Sequence, residues 1–189
     1  MKKLIVTADV HGSYSTWITL KDLLNQGDAL VVAGDLFGTR YPRYGYPDYQ
    51  PDFILNDLCE FQNPFYFVYG NCDRSSFSPG YQDTMIFDVM DWKIFLHHGH
   101  EYFKKLPSEA ISSNINLAIQ GHTHVHALEK RGQIIFLNPG SLSDPRSRFY
   151  TYAVVENNGI NIINIKTDTS LKSISFCNDS RLSDEGLFL

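Results

Sequence analysis

The sequence predicts an α/β protein built from two stacked β-sheets with helices on the outside, and three observations carry that expectation. The first half alternates short apolar runs with helical spacings, and the second half alternates apolar runs with tight turns. Nearly every run stops at a cluster of aspartate, asparagine, histidine or glycine. Helical crossovers join parallel strands while hairpins join antiparallel ones, so the pattern suggests two sheets in layers.

The elements follow in chain order. Leu4 to Ala8 is an apolar run closed by Asp9 and reads as a buried strand, followed by a helical pattern from Trp17 through Leu20, Leu23 and Leu24. Ala29 to Ala33 is a second strand, closed by Gly34 and Asp35. A helix is expected over Asp52 to Phe61, with Ile54, Leu55 and Leu58 on one face, and a third strand over Phe65 to Tyr69. From Thr84 the character changes: Met85 to Val89 and Lys93 to His97 are separated by Asp91 and Trp92, a hairpin spacing. A short helix is expected over Pro107 to Ser113 and a strand over Leu117 to Ile119. Further strands are expected over His124 to Leu128, Gln133 to Leu137, Tyr150 to Val155 and Ile160 to Ile165, with Asn157, Asn158 and Gly159 turning between the last two. Phe37 to Gln50 holds four tyrosines, two arginines and two prolines and reads as a loop. It is either a binding rim, where Arg40 or Arg43 meets an anionic group, or a packed surface loop or subunit contact.

Composition narrows the classes. The 189 residues suit a single domain, with a frayed tail over the last ~10 residues around the polar stretch Asn178 to Gly186. Sixteen Lys plus Arg against 21 Asp plus Glu leave a formal charge of −5, which speaks against a dedicated nucleic-acid-binding surface. Cys59, Cys72 and Cys177 form no CxxC pair, so neither a disulfide framework nor a zinc knuckle is expected, and a reducing compartment fits. Asp9 interrupts the first apolar run too early for a signal peptide, and no segment reaches membrane-spanning length. A soluble cytoplasmic protein is the expectation.

The chemistry lies where the runs end. Asp9 and His11 follow the first strand, Asp35 the second, Asn71 and Asp73 the third, His98 and His100 the fifth, and His122 and His124 the Leu117 to Ile119 strand. Any one of these is an ordinary turn residue or a satisfied polar group. Ligands of open α/β sheets gather beyond the carboxyl ends of strands, so all five segments together predict one crevice.

These segments, Asp9-Val10-His11, Gly34-Asp35, Gly70-Asn71-Cys72-Asp73, His98-Gly99-His100 and Gly121-His122-Thr123-His124, resemble the motifs of the calcineurin-like metallophosphoesterases. The form Gly70-Asn71-Cys72-Asp73 and the later Asn138-Pro139-Gly140-Ser141 are most similar to the small YfcE-type phosphodiesterases. The resemblance runs from Met1 to about Ile165 and implies a four-layer αββα sandwich of two mixed β-sheets flanked by helices. It implies two divalent metal ions, one held by Asp9, His11, Asp35 and His124 and the other by Asp35, Asn71, His98 and His122. Manganese is foremost, with Fe²⁺, Co²⁺, Ni²⁺ or Zn²⁺ as alternatives, since imidazole, carboxylate and amide ligands suit all of these. The implied reaction is hydrolysis of a phosphodiester by a metal-bridging hydroxide.

Cys72 departs from the pattern of many phosphomonoesterases of the superfamily, which carry histidine there to assist the leaving group, with the residue matching Asp73 orienting it. A thiol is a weak donor, so Cys72 is either a small filler or a poor acid. This points to diesters whose leaving groups need little protonation, or to His100 as the acid. Asn71, His100, Arg40 and Arg43 are the candidate substrate-binding residues. His97, one residue before a ligand on a strand, is expected to face the opposite side, and His126 is left at the rim. Asn138 to Ser141 reads as a rigid turn supporting neighbouring ligands, without the lysine of a P-loop. The competing readings are a phosphomonoesterase of a small metabolite and a scaffold like the retromer subunit of the same superfamily. The expected partner is a small-molecule diester, with no membrane, and homo-oligomerisation is left open.

Overall fold

The computed structural model describes residues 2–39, 47–101 and 106–176. Arg40, Arg43, Cys177 and the stretch 178–186 lie outside the described residues.

The larger sheet is organised around two parallel strands, β1 (Leu4–Thr7) and β2 (Ala29–Val32), paired so that Val6 opposes Val31 and Thr7 opposes Val32. Between them runs α1 (Tyr14–Asp22), whose first turn is capped by Ser13 Oγ accepting from the Thr16 N–H at 3.3 Å. Then α2 (Pro51–Cys59) begins on a proline, where the missing N–H costs nothing, and leads to β3 (Phe65–Phe67), parallel to β2. The hairpin follows as β4 (Thr84–Val89) and β5 (Trp92–His97), then α3 (Ser108–Ser112) and β6 (Leu117–Ile119). The chain closes with β7 (Ala127–Arg131), β8 (Ile134–Asn138), β9 (Thr151–Glu156), β10 (Gly159–Asn164) and β11 (Thr169–Ser175).

Two mixed sheets result, one in the order β11-β10-β9-β1-β2-β3 and the other β4-β5-β6-β8-β7. Their alternation resolves into three apolar interfaces, which define four layers. Leu4, Val6, Val31, Ile94, Leu96, Leu117, Ile119 and Leu137 fill the space between the sheets. Ile5, Leu30, Val32 and Phe67, on the opposite face of the larger sheet, pack against Trp17 and Leu20 of α1 and Ile54 of α2. Phe95 and Ala118 pack outward against Ala110 of α3. Asp57 ties the two long helices together, accepting from Trp17 Nε1 at 2.9 Å and pairing with Lys21.

Among the differences from expectation, three have a clear physical reason. The strand expected from His124 begins only at Ala127, because the backbone turns left-handed at His124 with φ 58°. Trp92, expected in the turn, starts β5; it is buried, and its Nε1 donates to the Glu156 carbonyl at 3.1 Å. The edge strand β11 was not expected, since the pairing of Ser170, Lys172 and Ser173 with β10 exposes a polar sequence with no apolar alternation to reveal it. Among the described residues no helix is long and apolar enough to cross a membrane.

Leu96 sits fully buried between the sheets, whereas Ile86 on the edge strand β4 remains 39% exposed. Leu96→Ala is therefore expected to lower stability by about 2–5 kcal/mol and Ile86→Ala by well under half of that. Urea unfolding midpoints measure both, and equal losses would contradict this account of the layers.

Candidate metal centre

The site is built by backbone reversals just past the strand ends. Asp9, His11, Asp35, His122 and His124 all have left-handed φ between 52° and 68°, and they make up five of the eight such non-glycine residues among those described. Each such conformation costs of order 1 kcal/mol or more, so it persists only where the surroundings impose it. Here they do. The Asp9 N–H donates to the Gly34 carbonyl at 3.1 Å and the His11 N–H to the Asp35 carbonyl at 2.8 Å, lacing the ends of β1 and β2 together. The Asp9 carbonyl accepts from Ser141 Oγ at 2.9 Å and Ser143 Oγ at 2.8 Å.

Three histidines are held in one tautomer by partners that can only accept. Nδ1 of His11 lies 2.7 Å from the Gly38 carbonyl, Nδ1 of His98 2.8 Å from that of Ala33, and Nδ1 of His124 2.6 Å from that of Asp144. A carbonyl has no proton to give, so each Nδ1 carries the hydrogen and each neutral ring presents a bare Nε2 to the crevice. Those Nε2 atoms then face other acceptors. His11 Nε2 is 3.3 Å from His124 Nε2, His98 Nε2 is 3.2 Å from Asn71 Oδ1 and 3.3 Å from Asp35 Oδ2, and His124 Nε2 is 3.4 Å from Asp9 Oδ1. Asp9 Oδ1 is buried with no hydrogen-bond partner.

Acceptors gathered on acceptors need positive charge between them. Burial pushes the Asp9 carboxyl up to about 7 against the pull of His98. At Asp35 burial is outweighed by the hydrogen bond and charge of His98 and by the Cys72 N–H, which bring it down to about 2. His98 is itself pushed up, because Asp35 and Asp9 outweigh its burial. The donor set therefore fits divalent cations, and two overlapping groups have ligand atoms within 4.8 Å of one another: Asp9 with His11 and His124, and Asp9 with Asp35 and His98.

The Gly70-Asn71-Cys72-Asp73 turn completes the floor. Cys72 donates its N–H to Asp35 Oδ1 at 2.8 Å, and Asn71 Nδ2 lies 3.2 Å from Cys72 Sγ, which turns the amide oxygen toward His98. The thiol also falls within ligand spacing of His11 and Asp35. A Cβ on Gly70 would run into the Asp35 carboxylate, and one on Gly34 into the His98 ring, so close approach demands glycine in both motifs. Asp73 touches none of the facing acceptor atoms. Its carboxylate accepts from the N–H groups of Leu36, Phe37, Gly38 and Gly70, fixing the loop whose Gly38 carbonyl holds His11.

The remaining sequence candidates divide. The His122 N–H donates to Asp9 Oδ2 at 3.0 Å, and its ring stands 5.1 Å from that of His98, outside the two tight groups. His100 lies on the rim, its ring 5.5 Å from His98 and its Nε2 3.9 Å from Glu101 Oε1. His97 faces the other side of its strand, buried and stacked on Phe95 at 4.8 Å. His126 turns toward Phe149, away from the crevice. Asn138 braces the 121–124 turn, donating to the Gly121 carbonyl at 2.8 Å and to Thr123 Oγ1 at 3.1 Å. Sequence reasoning missed Asp144 and Ser143. Asp144 holds His124 Nδ1 through its carbonyl, which leaves no residue-type signature, with its carboxylate Oδ2 also 3.5 Å away; the serines after Asn138-Pro139-Gly140 were a usable signal.

The chain is similar to known phosphoesterases. The model of the calcineurin-like phosphoesterase superfamily domain matches residues 1–159. The phosphodiesterase YfcE of Escherichia coli strain K12 is 29% identical over 93% of this chain and 98% of its own. A solved structure of the E. coli Yfce phosphoesterase superposes with a TM-score of 0.77 at 26% identity, covering 92% of this chain and 98% of the other. Vps29 of Entamoeba histolytica, solved with Zn²⁺, shares the fold at a TM-score of 0.62 and 21% identity, covering 92% of this chain and 98% of its own.

Gly70→Ala should leave the circular dichroism spectrum intact while displacing the Asp35 carboxylate. The expected result is a clear fall in bound divalent metal by elemental analysis; full metal content would show that Asp35 does not need this space.

Proposed function

Since this chain belongs to the calcineurin-like phosphoesterase superfamily, we propose that it is a dimetal-dependent phosphodiesterase acting on a small-molecule diester. The observation that carries the reading is the ring of inward-facing acceptor atoms with every Nδ1–H of His11, His98 and His124 committed to a carbonyl. Asp9, His11, Asp35 and His124 would hold one ion, and Asp35, Asn71, His98 and His122 the other. Asp35 Oδ2, 3.9 Å from His11 Nε2 and 3.3 Å from His98 Nε2, faces both sets. When bound, two such ions supply Lewis acidity toward phosphoryl oxygens and lower the pKa of an attacking water. The oxygen and nitrogen ligands suit Mn²⁺, Fe²⁺, Co²⁺, Ni²⁺ and Zn²⁺ alike, and Mn²⁺ is proposed foremost on the family resemblance.

The chain's own side chains divide the remaining tasks. Asp73 acts indirectly, by fixing the loop that orients His11. His100, on the rim beside His98, is the group we assign to donate a proton to the leaving oxygen. Cys72 stands where an imidazole would otherwise serve, which favours diesters with good leaving groups over monoesters. Asn71 and His100 border the space for the substrate, and Arg40 and Arg43 are proposed to meet its anionic groups. The name of the E. coli relative supports diester chemistry. A non-catalytic scaffold role gains little from so many buried acceptors, which cost stability unless a cation satisfies them. Neither a nucleic-acid surface nor a membrane contact is part of the proposal. A cytoplasmic setting fits a chain whose three cysteines show no CxxC spacing.

Two experiments test this. Metal-stripped protein should not hydrolyse bis(p-nitrophenyl) phosphate, and restoring each ion in turn should return turnover with at least one of them. A fully loaded protein inert to all diesters would overturn the reading. Cys72→His should raise monoesterase relative to diesterase activity by about tenfold or more, the range of general-acid contributions being about 10²–10⁴; an unchanged ratio in parallel assays would count against the role given to this position.

A further inference from the structure

The turn after β8 grips His124 from two sides. Ser141 Oγ accepts from the Asp144 N–H at 2.9 Å, the Asp144 carbonyl accepts from His124 Nδ1 at 2.6 Å, and the Arg146 N–H donates to the His124 carbonyl at 3.1 Å. Arg146 is thus fixed beside a metal-site histidine by its backbone, which leaves its side chain free for another task. That side chain is exposed and makes no hydrogen bond or ion pair with any described residue. Several other cations are engaged, Lys21 with Asp57, Arg131 with Glu129, and Lys166 over the Tyr150 ring at 3.7 Å.

A cation beside a site that collects cations is electrostatically unfavourable unless anions offset it; the Asp144 carboxylate, its Oδ2 3.5 Å from His124 Nδ1, is one, and a bound phosphoryl group would be another. We infer that Arg146 is a substrate-binding residue of this centre, its guanidinium receiving phosphoryl oxygens of the diester from the His124 side. The inference rests on the phosphodiesterase reading and identifies one recognition group within it. The planar fork of the guanidinium matches two oxygens of a phosphate, which an ammonium does not. Because the His124 contact runs through the backbone N–H, side-chain replacement should leave the metal ligands in place. The interaction exists in the bound ground state as well as the transition state, so its loss should appear in KM more than in kcat.

The test uses metal-loaded wild type, Arg146→Gln and Arg146→Lys, with bis(p-nitrophenyl) phosphate as substrate and inorganic phosphate as competing ligand. Arg146→Gln is expected to raise KM about tenfold and weaken phosphate inhibition to the same degree, with kcat little changed and metal content equal to wild type. Arg146→Lys should fall between the two. Unchanged KM and unchanged phosphate inhibition in an active enzyme would overturn the inference, as would metal loss in both variants, which would make the residue structural. If the loaded wild type proves inert to diesters, the phosphodiesterase reading fails instead. Calorimetric titration of phosphate into wild type and Arg146→Gln still decides on Arg146: weaker binding by the variant supports it, and equal binding overturns it.

Discussion

Two carboxylates buried at the ends of neighbouring parallel strands set the terms for the rest of the molecule. Asp9 is fully buried and Asp35 only 2% exposed. Burying one ionised carboxylate costs several kcal/mol unless it is compensated, and two side by side repel each other as well. The parallel pairing of β1 with β2, in which Thr7 opposes Val32, brings these residues together and allows no wider separation. Asp35 has local compensation in His98 and the Cys72 N–H. Asp9 Oδ1 has none, and the raised pKa of its carboxyl expresses that lack. The centre is therefore complete only with cations in it, and its geometry can be understood as a device for keeping acceptor atoms converged until they arrive.

That device is made of backbone as much as of side chains. The left-handed turns at the ligands let the chain leave a buried strand and immediately direct a polar side chain back over the strand end. Such turns are stable here because neighbouring loops satisfy their amides and carbonyls, as Ser141 and Ser143 do for Asp9. Asp73 does the same for the loop after β2 by taking four backbone N–H groups on one carboxylate. The apolar interface between the sheets holds both sets of strand ends at one edge, so that Asp9 and Asp35 from one sheet meet His98 and His124 from beyond the strands of the other.

Much of this was legible in the sequence because strand ends announce themselves. Apolar runs such as Leu4 to Ala8 and Ala29 to Ala33 stop at Asp9 and at Gly34-Asp35, and parity along β5 correctly sends His97 away from the crevice while His98 turns in. Features carried by backbone atoms were not legible. The carbonyls of Gly38, Ala33 and Asp144 fix the histidine tautomers, yet any residue type supplies a carbonyl. β11 was hidden for a related reason: an exposed edge strand pairs through its amides, and its polar side chains carry no period. Asp73 was legible as a site residue, whereas its partners, being main-chain N–H groups of a loop 35 to 37 residues away, were not.

The balance between attraction and protonation bears on what such a centre selects. A formal charge of −5 makes the chain a poor host for phosphate, and two divalent ions would nearly cancel it within the crevice itself. Attraction would then be concentrated where the reaction occurs and would favour a dianionic monoester over a monoanionic diester on charge alone. Charge thus works against diester preference, so any such preference must arise at the other end of the reaction, where the leaving oxygen has to be stabilised. If Cys72 and His100 serve the leaving group as proposed, a thiol and an imidazole held out on the rim would provide weaker protonation than an imidazole set beside Asn71. On the proposed reading, such a site would discriminate by leaving group, handling esters that depart as weakly basic oxyanions faster than those that need a proton first.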